Sequence, residues 1–185
     1  GIVEAEAAGF DDEQHEIGLA PEEVGLLPDE VAGELAALAA EPPVEGAGYR
    51  PDERFTHRLV CRRMREVFNS MGRELPSIRE KCTTNPAYLC PADLAALGVA
   101  DGDLIEIESG HGRILAVAES DEDVRSGVIS MAPSWGDLPS RKSDVREVGS
   151  TTGRLVDDAS DYDPISGIAR QSAIPVNVRP APLAG

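Results

Sequence analysis

A short basic run holds the residues best suited to bind an anion. Arg62, Arg63 and Arg65 lie in the segment RRMR, and Asn69 and Ser70 follow it closely. A guanidinium group makes paired hydrogen bonds to phosphate oxygens, and amide or hydroxyl groups pair with the polar edges of a ligand. In many proteins a basic run serves only to solvate a surface. The segment therefore predicts either a phosphate-binding turn or an exposed basic face.

Two further segments carry groups suited to ligand contact. In SMAPSWGD (residues 130–137), the indole of Trp135 either stacks on a ligand ring or seals the core, and Gly136 lets the backbone approach a ligand closely. In GSTTGRLV, Thr151 or Thr152 offers a hydroxyl group for hydrogen bonding.

Other reactive residue types lack the spacing that catalysis or metal binding requires. His15, His57 and His111 are scattered, without the spacing of a zinc or iron–sulfur site. Asp101 and Asp103 belong to a Gly-Asp turn, and no neighbouring group completes an acid–base pair. We therefore predict no catalytic residue and no metal ligand in this chain.

The cysteines indicate a reducing compartment. Cys61, Cys82 and Cys90 are odd in number and form no CxxC motif, which favours free thiols and a cytoplasmic protein. The sequence has no apolar run long enough to span a membrane and no visible signal peptide. The chain begins at Gly1 without an initiator methionine, which is typical of a fragment or a processed product.

The charge of the chain argues against general affinity for nucleic acids. The formal net charge is −17, from 34 acidic and 17 basic side chains. Residues 1–50 hold 13 acidic side chains against Arg50 alone, so most of the net charge lies there. A chain without a basic footprint has no electrostatic attraction to phosphate backbones or anionic membranes. We therefore expect neither nucleic acid nor a membrane among its partners.

The N-terminal part has the pattern of an acidic extension with one helix. Pro28, the acidic residues after it and an apolar face predict a helix over DEVAGELAALAAE. The Pro- and Gly-rich segment EPPVEGAGYRPDE (residues 41–53) has the composition of a linker. We place the boundary within it, between an extension over residues 1–50 and a domain over residues 51–185.

The remaining sequence alternates short strand patterns with turn signals. Ile105 and Ile107 alternate with glutamates in DLIEIES, which is typical of a half-buried strand. Pro91 and Gly98 mark the start and the end of a short helix, PADLAAL. Several short strands with few short helices predict a small β-barrel with helical decoration. Further strand patterns occur at residues 56–61, 113–119, 126–132 and 172–178.

Three segments carry a resemblance to a known family. They are LVCRRMREVFNS (residues 59–70), NPAYLCPADLAALGVADGDLIEIES (residues 85–109) and GVISMAPSWGD (residues 127–137). In this order and spacing they resemble the C-terminal dinucleotide-binding domain of molybdopterin oxidoreductases of the formate dehydrogenase or nitrate reductase type. The similarity extends over residues 56–178.

The resemblance implies a fold, a cofactor and a set of contacts. The fold is a mainly β, aspartate-decarboxylase-like double-psi β-barrel with six core strands, short helices and an acidic N-terminal extension. The ligand is one half of a bis-molybdopterin guanine dinucleotide cofactor. The residues expected to bind it are Arg63, Asn69, Ser70, Trp135, Gly136, Thr151, Thr152, Arg170 and Gln171.

Several positions depart from the family pattern. Cys61 stands where serine or threonine is more common, and Cys90 precedes Pro91 where the family often has histidine. Thr151 and Gly153 stand where relatives usually carry asparagine. A thiol or a bare backbone is a poorer hydrogen-bond partner than an amide side chain. These positions therefore weaken the predicted side-chain recognition of the pterin and leave the predicted fold unaffected.

The same resemblance implies that the redox chemistry lies outside this chain. In the family, the pterin dithiolenes and another domain hold molybdenum or tungsten, and any iron–sulfur cluster lies near the N-terminus. The implied partners are the remaining catalytic domains of a parent oxidoreductase and its electron-transfer subunits. The chain by itself is then expected to be inactive.

Two other functions are compatible with the same barrel. It occurs in non-catalytic domains that bind proteins or peptides, and the acidic helix would then serve a partner. It also occurs in a self-processing decarboxylase, for which the pair Gly149-Ser150 would be the cleavage site. The arginine run and the Trp-Gly loop favour cofactor binding over both.

Overall fold

The computed structural model describes residues 29–40, 54–141, 143–163 and 166–182 of the 185-residue chain. The predicted N-terminal helix is present as α1 (Asp29–Ala40), in which Leu35 is half exposed. The predicted linker, and with it the predicted boundary between residues 50 and 51, lies outside the described residues. None of the helices in these ranges combines the length and the apolar character needed to cross a membrane.

Six strands form a closed barrel. Their bounds are β1 (His57–Cys61), β2 (Ala87–Leu89), β3 (Leu104–Ser109), β4 (Arg113–Ser120), β5 (Val128–Met131) and β6 (Ile174–Pro180). Around the barrel they follow the order β1-β5-β2-β4-β3-β6. β1 pairs in parallel with β5, and β2 with β4, while the other neighbours are antiparallel. Parallel neighbours need crossover connections, and long segments link β1 to β2, β2 to β3 and β5 to β6.

Short helices lie in these connections. They are α2 (Pro76–Arg79), α3 (Pro91–Leu97), α4 (Val145–Val148) and the 3₁₀ helices Pro139–Arg141 and Thr152–Leu155. The prediction of α3 is confirmed, because Pro91 occupies its first turn and Gly98 ends it at φ 67°. The predicted turn before β3 is also present. There the Asp103 carboxylate accepts a hydrogen bond from the Ala100 amide at 2.9 Å.

Aliphatic side chains fill the barrel. Ile105 and Ile107 of β3 are fully buried, as their alternation predicts. Glu106 between them is also buried, and Arg179 of β6 forms an ion pair with its carboxylate. The predicted small β-barrel with short helices is therefore confirmed. Further core residues are Leu59, Ala87, Leu89, Leu94, Val99, Ile114, Ala116, Ala118, Ile129, Met131, Leu155, Ile174, Val176 and Val178.

β2 is the strand that the sequence pattern does not indicate. It has three residues, too few to show an alternation of apolar and polar side chains. Its position is defined by partners on both sides, since Tyr88 lies opposite Glu119 of β4 and Ser130 of β5. Pairing within the barrel, and not local propensity, forms this strand.

A buried histidine–carboxylate pair joins β1 to α3. His57 is 8% exposed, its Nε2 lies 3.6 Å from the Asp93 carboxylate, and its Nδ1 lies 2.8 Å from Thr56 Oγ1. Burial lowers the pKa of His57 in spite of the opposing attraction of Asp93. Burial also disfavours the ionised Asp93, but hydrogen bonds from Ser126 and Gly127 outweigh it and lower the pKa of that carboxyl.

This burial predicts a pH dependence of stability. The unfolded chain, with an ordinary histidine pKa of about 6.5, binds a proton at His57 more readily than the folded chain does. The contribution of His57 is therefore fully present above that pKa, and the free energy of unfolding falls as the pH drops below it. The uptake of one such proton changes the free energy of unfolding by at most about 1.4 kcal/mol per pH unit.

We expect His57→Gln to flatten that slope between pH 7 and pH 5. Urea unfolding at three pH values measures the slope, and the exposed residue His111, changed to Gln, provides the matched control. Equal slopes for His57→Gln and the unmodified chain would contradict the assignment.

Candidate functional site

A groove of about 630 Å³ is formed by the loop after β5 and the start of the 3₁₀ helix Thr152–Leu155. Ser134 lines it from the loop, Thr151 and Thr152 line it from the helix start, and Gln171 lines it from the segment before β6. We call it the main groove. The structure thus brings together three of the predicted contacts from two separate parts of the sequence, the pair Thr151-Thr152 and Gln171.

The polar groups of the main groove are positioned by local geometry. Thr151 is the N-cap of the 3₁₀ helix, and its Oγ1 accepts a hydrogen bond from the Gly153 amide at 3.3 Å. Thr152 is 4% exposed, and its hydroxyl makes no hydrogen bond with the described part of the chain. The exposed Gln171 amide likewise has no partner there. Both groups are therefore available to a ligand.

Ser134 at the edge of the groove has a left-handed backbone conformation. Its φ is 68°, which costs a non-glycine residue about 1–2 kcal/mol. Arg73, from the connection between β1 and β2, donates a hydrogen bond to the Ser134 carbonyl at 2.6 Å. The same guanidinium lies 5.9 Å from the centroid of the Trp135 ring. Arg73 therefore helps to hold this loop in place.

A buried amide joins the two loops that form the groove. Asn85, just before β2, is 2% exposed. Its Nδ2 donates to the Ala132 carbonyl at 2.6 Å and to the Ser150 carbonyl at 2.7 Å. Its Oδ1 accepts from the Ser150 amide at 2.9 Å. Both N–H groups and the oxygen are thus used, and one side chain fixes the separation of the loops.

Two glycines allow these loops to approach each other. At Gly136 (φ 85°), an added Cβ would lie 3.1 Å from the Ser150 Cα. At Gly149 (φ 70°), an added Cβ would clash with Asn85 Oδ1. The close neighbour of Gly136 is therefore the backbone of the other loop, and its predicted contact with a ligand stays a prediction.

Trp135 seals a small second core. It is 6% exposed and packs with Val67 and Ala132, beside the partly buried Met64 and Ile78. Of the two alternatives left open by the sequence, the structure thus displays the packing role. Its ring also borders the depression formed by Arg63 and Asn69, and its predicted contact with a ligand stays a prediction.

The arginines of the basic run separate into different roles. Arg62 forms an ion pair with Asp121 at 2.9 Å and lies 3.9 Å over the Tyr88 ring, so it is structural. Arg63 is exposed and donates a hydrogen bond to Asn69 Oδ1. Arg65 is exposed and makes no hydrogen bond or ion pair with the described residues.

Arg63 and Asn69 line a depression next to the main groove. Pro133 belongs to the walls of both, which makes the two surfaces neighbours. Ser70 is exposed at the adjoining position. The predicted anion-binding pair is therefore positioned beside the predicted hydroxyl and amide groups.

Arg170 lies on a different surface. Its Nε is 3.0 Å from the Asp161 carboxylate, and it lines a pocket of about 280 Å³. His111 lines both this pocket and the main groove, so the two adjoin. Arg170 is thus paired with an acid, whereas Gln171 next to it in sequence reaches the main groove.

Several residues of this region were not found by sequence reasoning. Asn85, Arg73, Ser134 and His111 carry no motif that separates them from ordinary loop residues. Asn-Pro before an apolar segment is a turn signal, but it does not reveal which carbonyls the amide will meet. Their contribution depends on contacts between distant parts of the chain.

The structure also describes the surroundings of the groups considered for other chemistry. Ser150 is 4% exposed and donates its hydroxyl to the Leu115 carbonyl. Among the described residues, no cluster of three or more His, Cys, Asp or Glu side chains has the arrangement of a metal site.

A closed six-stranded barrel with this strand order and two parallel pairs is a double-psi β-barrel, so the predicted fold class is confirmed. Residues 58–175 match the family described as the molydopterin dinucleotide binding domain. The chain belongs to this family, which confirms the resemblance to the molybdopterin dinucleotide-binding domain. The formate dehydrogenase or nitrate reductase type stays a prediction.

Known relatives are much longer enzymes. Dimethyl sulfoxide/trimethylamine N-oxide reductase of Rhodobacter capsulatus is 30% identical over 117 residues, which are 63% of this chain and 12% of that protein. The enzyme of the same name from Cereibacter sphaeroides is 28% identical over 102 residues, or 55% of this chain and 11% of that protein. The chain therefore spans about a tenth of the length of these curated relatives.

A solved structure shares the fold. Acetylene hydratase from Pelobacter acetylenicus superposes with a TM-score of 0.58 and 18% sequence identity. The match covers 84% of this chain and 20% of that chain.

The backbone at Gly149 yields a test of the loop geometry. Its φ of 70° and ψ of −162° lie in a region that is essentially restricted to glycine. We expect Gly149→Ala to lower the free energy of unfolding by at least about 2 kcal/mol, because conformational strain and the clash with Asn85 add.

Gly98→Ala is the matched control, since Gly98 has a similar φ of 67° but open space around it. We expect Gly98→Ala to lower the free energy of unfolding by about 1 kcal/mol. Urea unfolding followed by circular dichroism measures both. Equal losses would show that the loops do not approach each other as described.

Proposed function

We propose that this domain binds one half of a bis-molybdopterin guanine dinucleotide cofactor along the main groove and the adjoining Arg63 depression. The observation that carries the proposal is the convergence of Thr151, Thr152 and Gln171 on one groove. Membership of the dinucleotide-binding family supports it.

The donor groups fit such a ligand. Thr152 and Gln171 have hydrogen-bonding groups without partners in the described residues, and they suit the neutral polar edges of a pterin or a guanine. Arg63, oriented by Asn69, suits a phosphate oxygen. Trp135, Gly136, Ser70 and Thr151 would complete the contacts, and Arg170 would lie at the border.

The bound cofactor would supply the redox chemistry through a molybdenum or tungsten ion held by its dithiolenes and by other domains. The residues of this chain would bind the dinucleotide, neutralise part of its charge and exclude water. Any iron–sulfur cluster would belong to the rest of the parent protein. On this basis the chain alone is inactive, and its partners are the other catalytic domains and electron-transfer subunits, in the cytoplasm.

Two types of parent enzyme are candidates, and they differ in their substrate. The motif resemblance favours a formate dehydrogenase or nitrate reductase type. The printed names of the relatives favour reduction of dimethyl sulfoxide or trimethylamine N-oxide. Assays of the parent oxidoreductase with formate, nitrate, dimethyl sulfoxide and trimethylamine N-oxide separate the candidates, because each reaction requires its own substrate.

Arg63→Ala in the parent oxidoreductase tests the cofactor contact. A hydrogen bond to a charged group contributes about 1.5–3 kcal/mol, so we expect at least about tenfold weaker retention of the cofactor. Pterin fluorescence after oxidative release and metal analysis of the purified enzyme measure retention.

Arg65→Ala serves as the control, because Arg65 is an exposed arginine of the same run without a hydrogen bond or ion pair to the described residues. It should retain the cofactor. Unchanged pterin and metal contents in Arg63→Ala would refute the assigned role.

A further inference from the structure

We infer that Asn85 is a positioning residue, which holds the two loops of the main groove at the separation that its ligand requires. This inference rests on the proposed function. Asn85 does not line the main groove and is 2% exposed, so it acts through other residues.

The bonds of Asn85 reach the loops close to their ligand-facing groups. One bond ends on Ala132, two residues before Ser134. The other two end on Ser150, which directly precedes Thr151. A displacement at either anchor therefore moves the groups that line the groove.

A second link makes the geometry rigid. The Gly136 amide donates to the Val148 carbonyl at 2.8 Å, so the loops are also joined directly through their backbones. One such bond leaves the loops able to rotate about it. The Asn85 amide, attached at Ala132 and Ser150, supplies the additional points that fix their relative orientation.

Removal of the amide donors cannot be compensated easily. Ala132 and Ser150 are both buried, and the carbonyl of each would be left without its hydrogen-bond partner. The loops gain hydrogen bonds to water only by moving apart. We therefore expect the groove to widen and fluctuate while the barrel, which has its own core, stays folded.

Two substitutions test this inference. Asn85→Asp keeps the size of the side chain and removes both donors. Asn85→Ser is a milder change, because its short hydroxyl cannot reach both carbonyls, and it keeps the test valid if Asn85→Asp does not fold.

Asn177→Asp is the matched control. The Asn177 amide also bridges two backbone groups, since it donates to the Arg54 carbonyl at 2.9 Å and accepts from the Thr56 amide at 3.1 Å. It lies in β6 and lines none of the groove.

Hydrogen exchange on the full 185-residue chain is the first measurement. In the Asn85 variants, amides of residues 134–136 and 150–155 should exchange at least tenfold faster, while amides of β3 and β4 keep their rates. Unchanged loop rates, or an equal increase throughout the barrel, would overturn the inference.

Cofactor retention in the parent oxidoreductase is the second measurement, read as pterin per folded protein. It should fall at least tenfold in the Asn85 variants relative to Asn177→Asp. Retention equal to that of Asn177→Asp, in spite of faster loop exchange, would overturn the positioning role. An unmodified enzyme without pterin would instead overturn the proposed function, and the exchange rates alone would then decide whether Asn85 holds the loops.

Discussion

The shape of the main groove depends on one buried amide. Asn85 uses both of its N–H groups and its oxygen to join the loop after β5 to the loop before the 3₁₀ helix Thr152–Leu155. Glycine at position 149 leaves the space that this side chain occupies. Since neither loop belongs to a strand at these points, the separation of Ser134 from Thr152 follows from the position of a residue that does not itself line the groove.

The barrel in turn fixes the position of Asn85. The residue lies two positions before β2, a three-residue strand held between β4 and β5. β5 leads directly into Ala132, so the donor and one of its acceptors extend from neighbouring strands. The barrel therefore sets the geometry of the groove. Strand pairing positions Asn85, and the hydrogen bonds of Asn85 position the loops.

Local patterns predicted the elements that local chemistry forms. The helix from Pro91 to Leu97 and the strands on either side of Gly110 were evident, because capping residues and alternation act between near neighbours. The sequence did not separate Arg62, which is paired with Asp121, from Arg63, which is not. It also did not reveal Asn85 or β2, since both depend on groups more than 40 residues away or on two partner strands.

The parallel pairing of β1 with β5 limits when a ligand can enter the molecule. Arg58 lies opposite Val128, and His57 lies opposite Val176 in the last strand. Contacts between residues this far apart in the sequence form late in folding, because a long loop must close before such contacts can stabilise the chain. A ribosome-bound chain that lacks β6 therefore has no closed barrel and no complete groove. On the proposed function, the cofactor therefore meets its complete binding surface only after β6 has been synthesised and the barrel has closed.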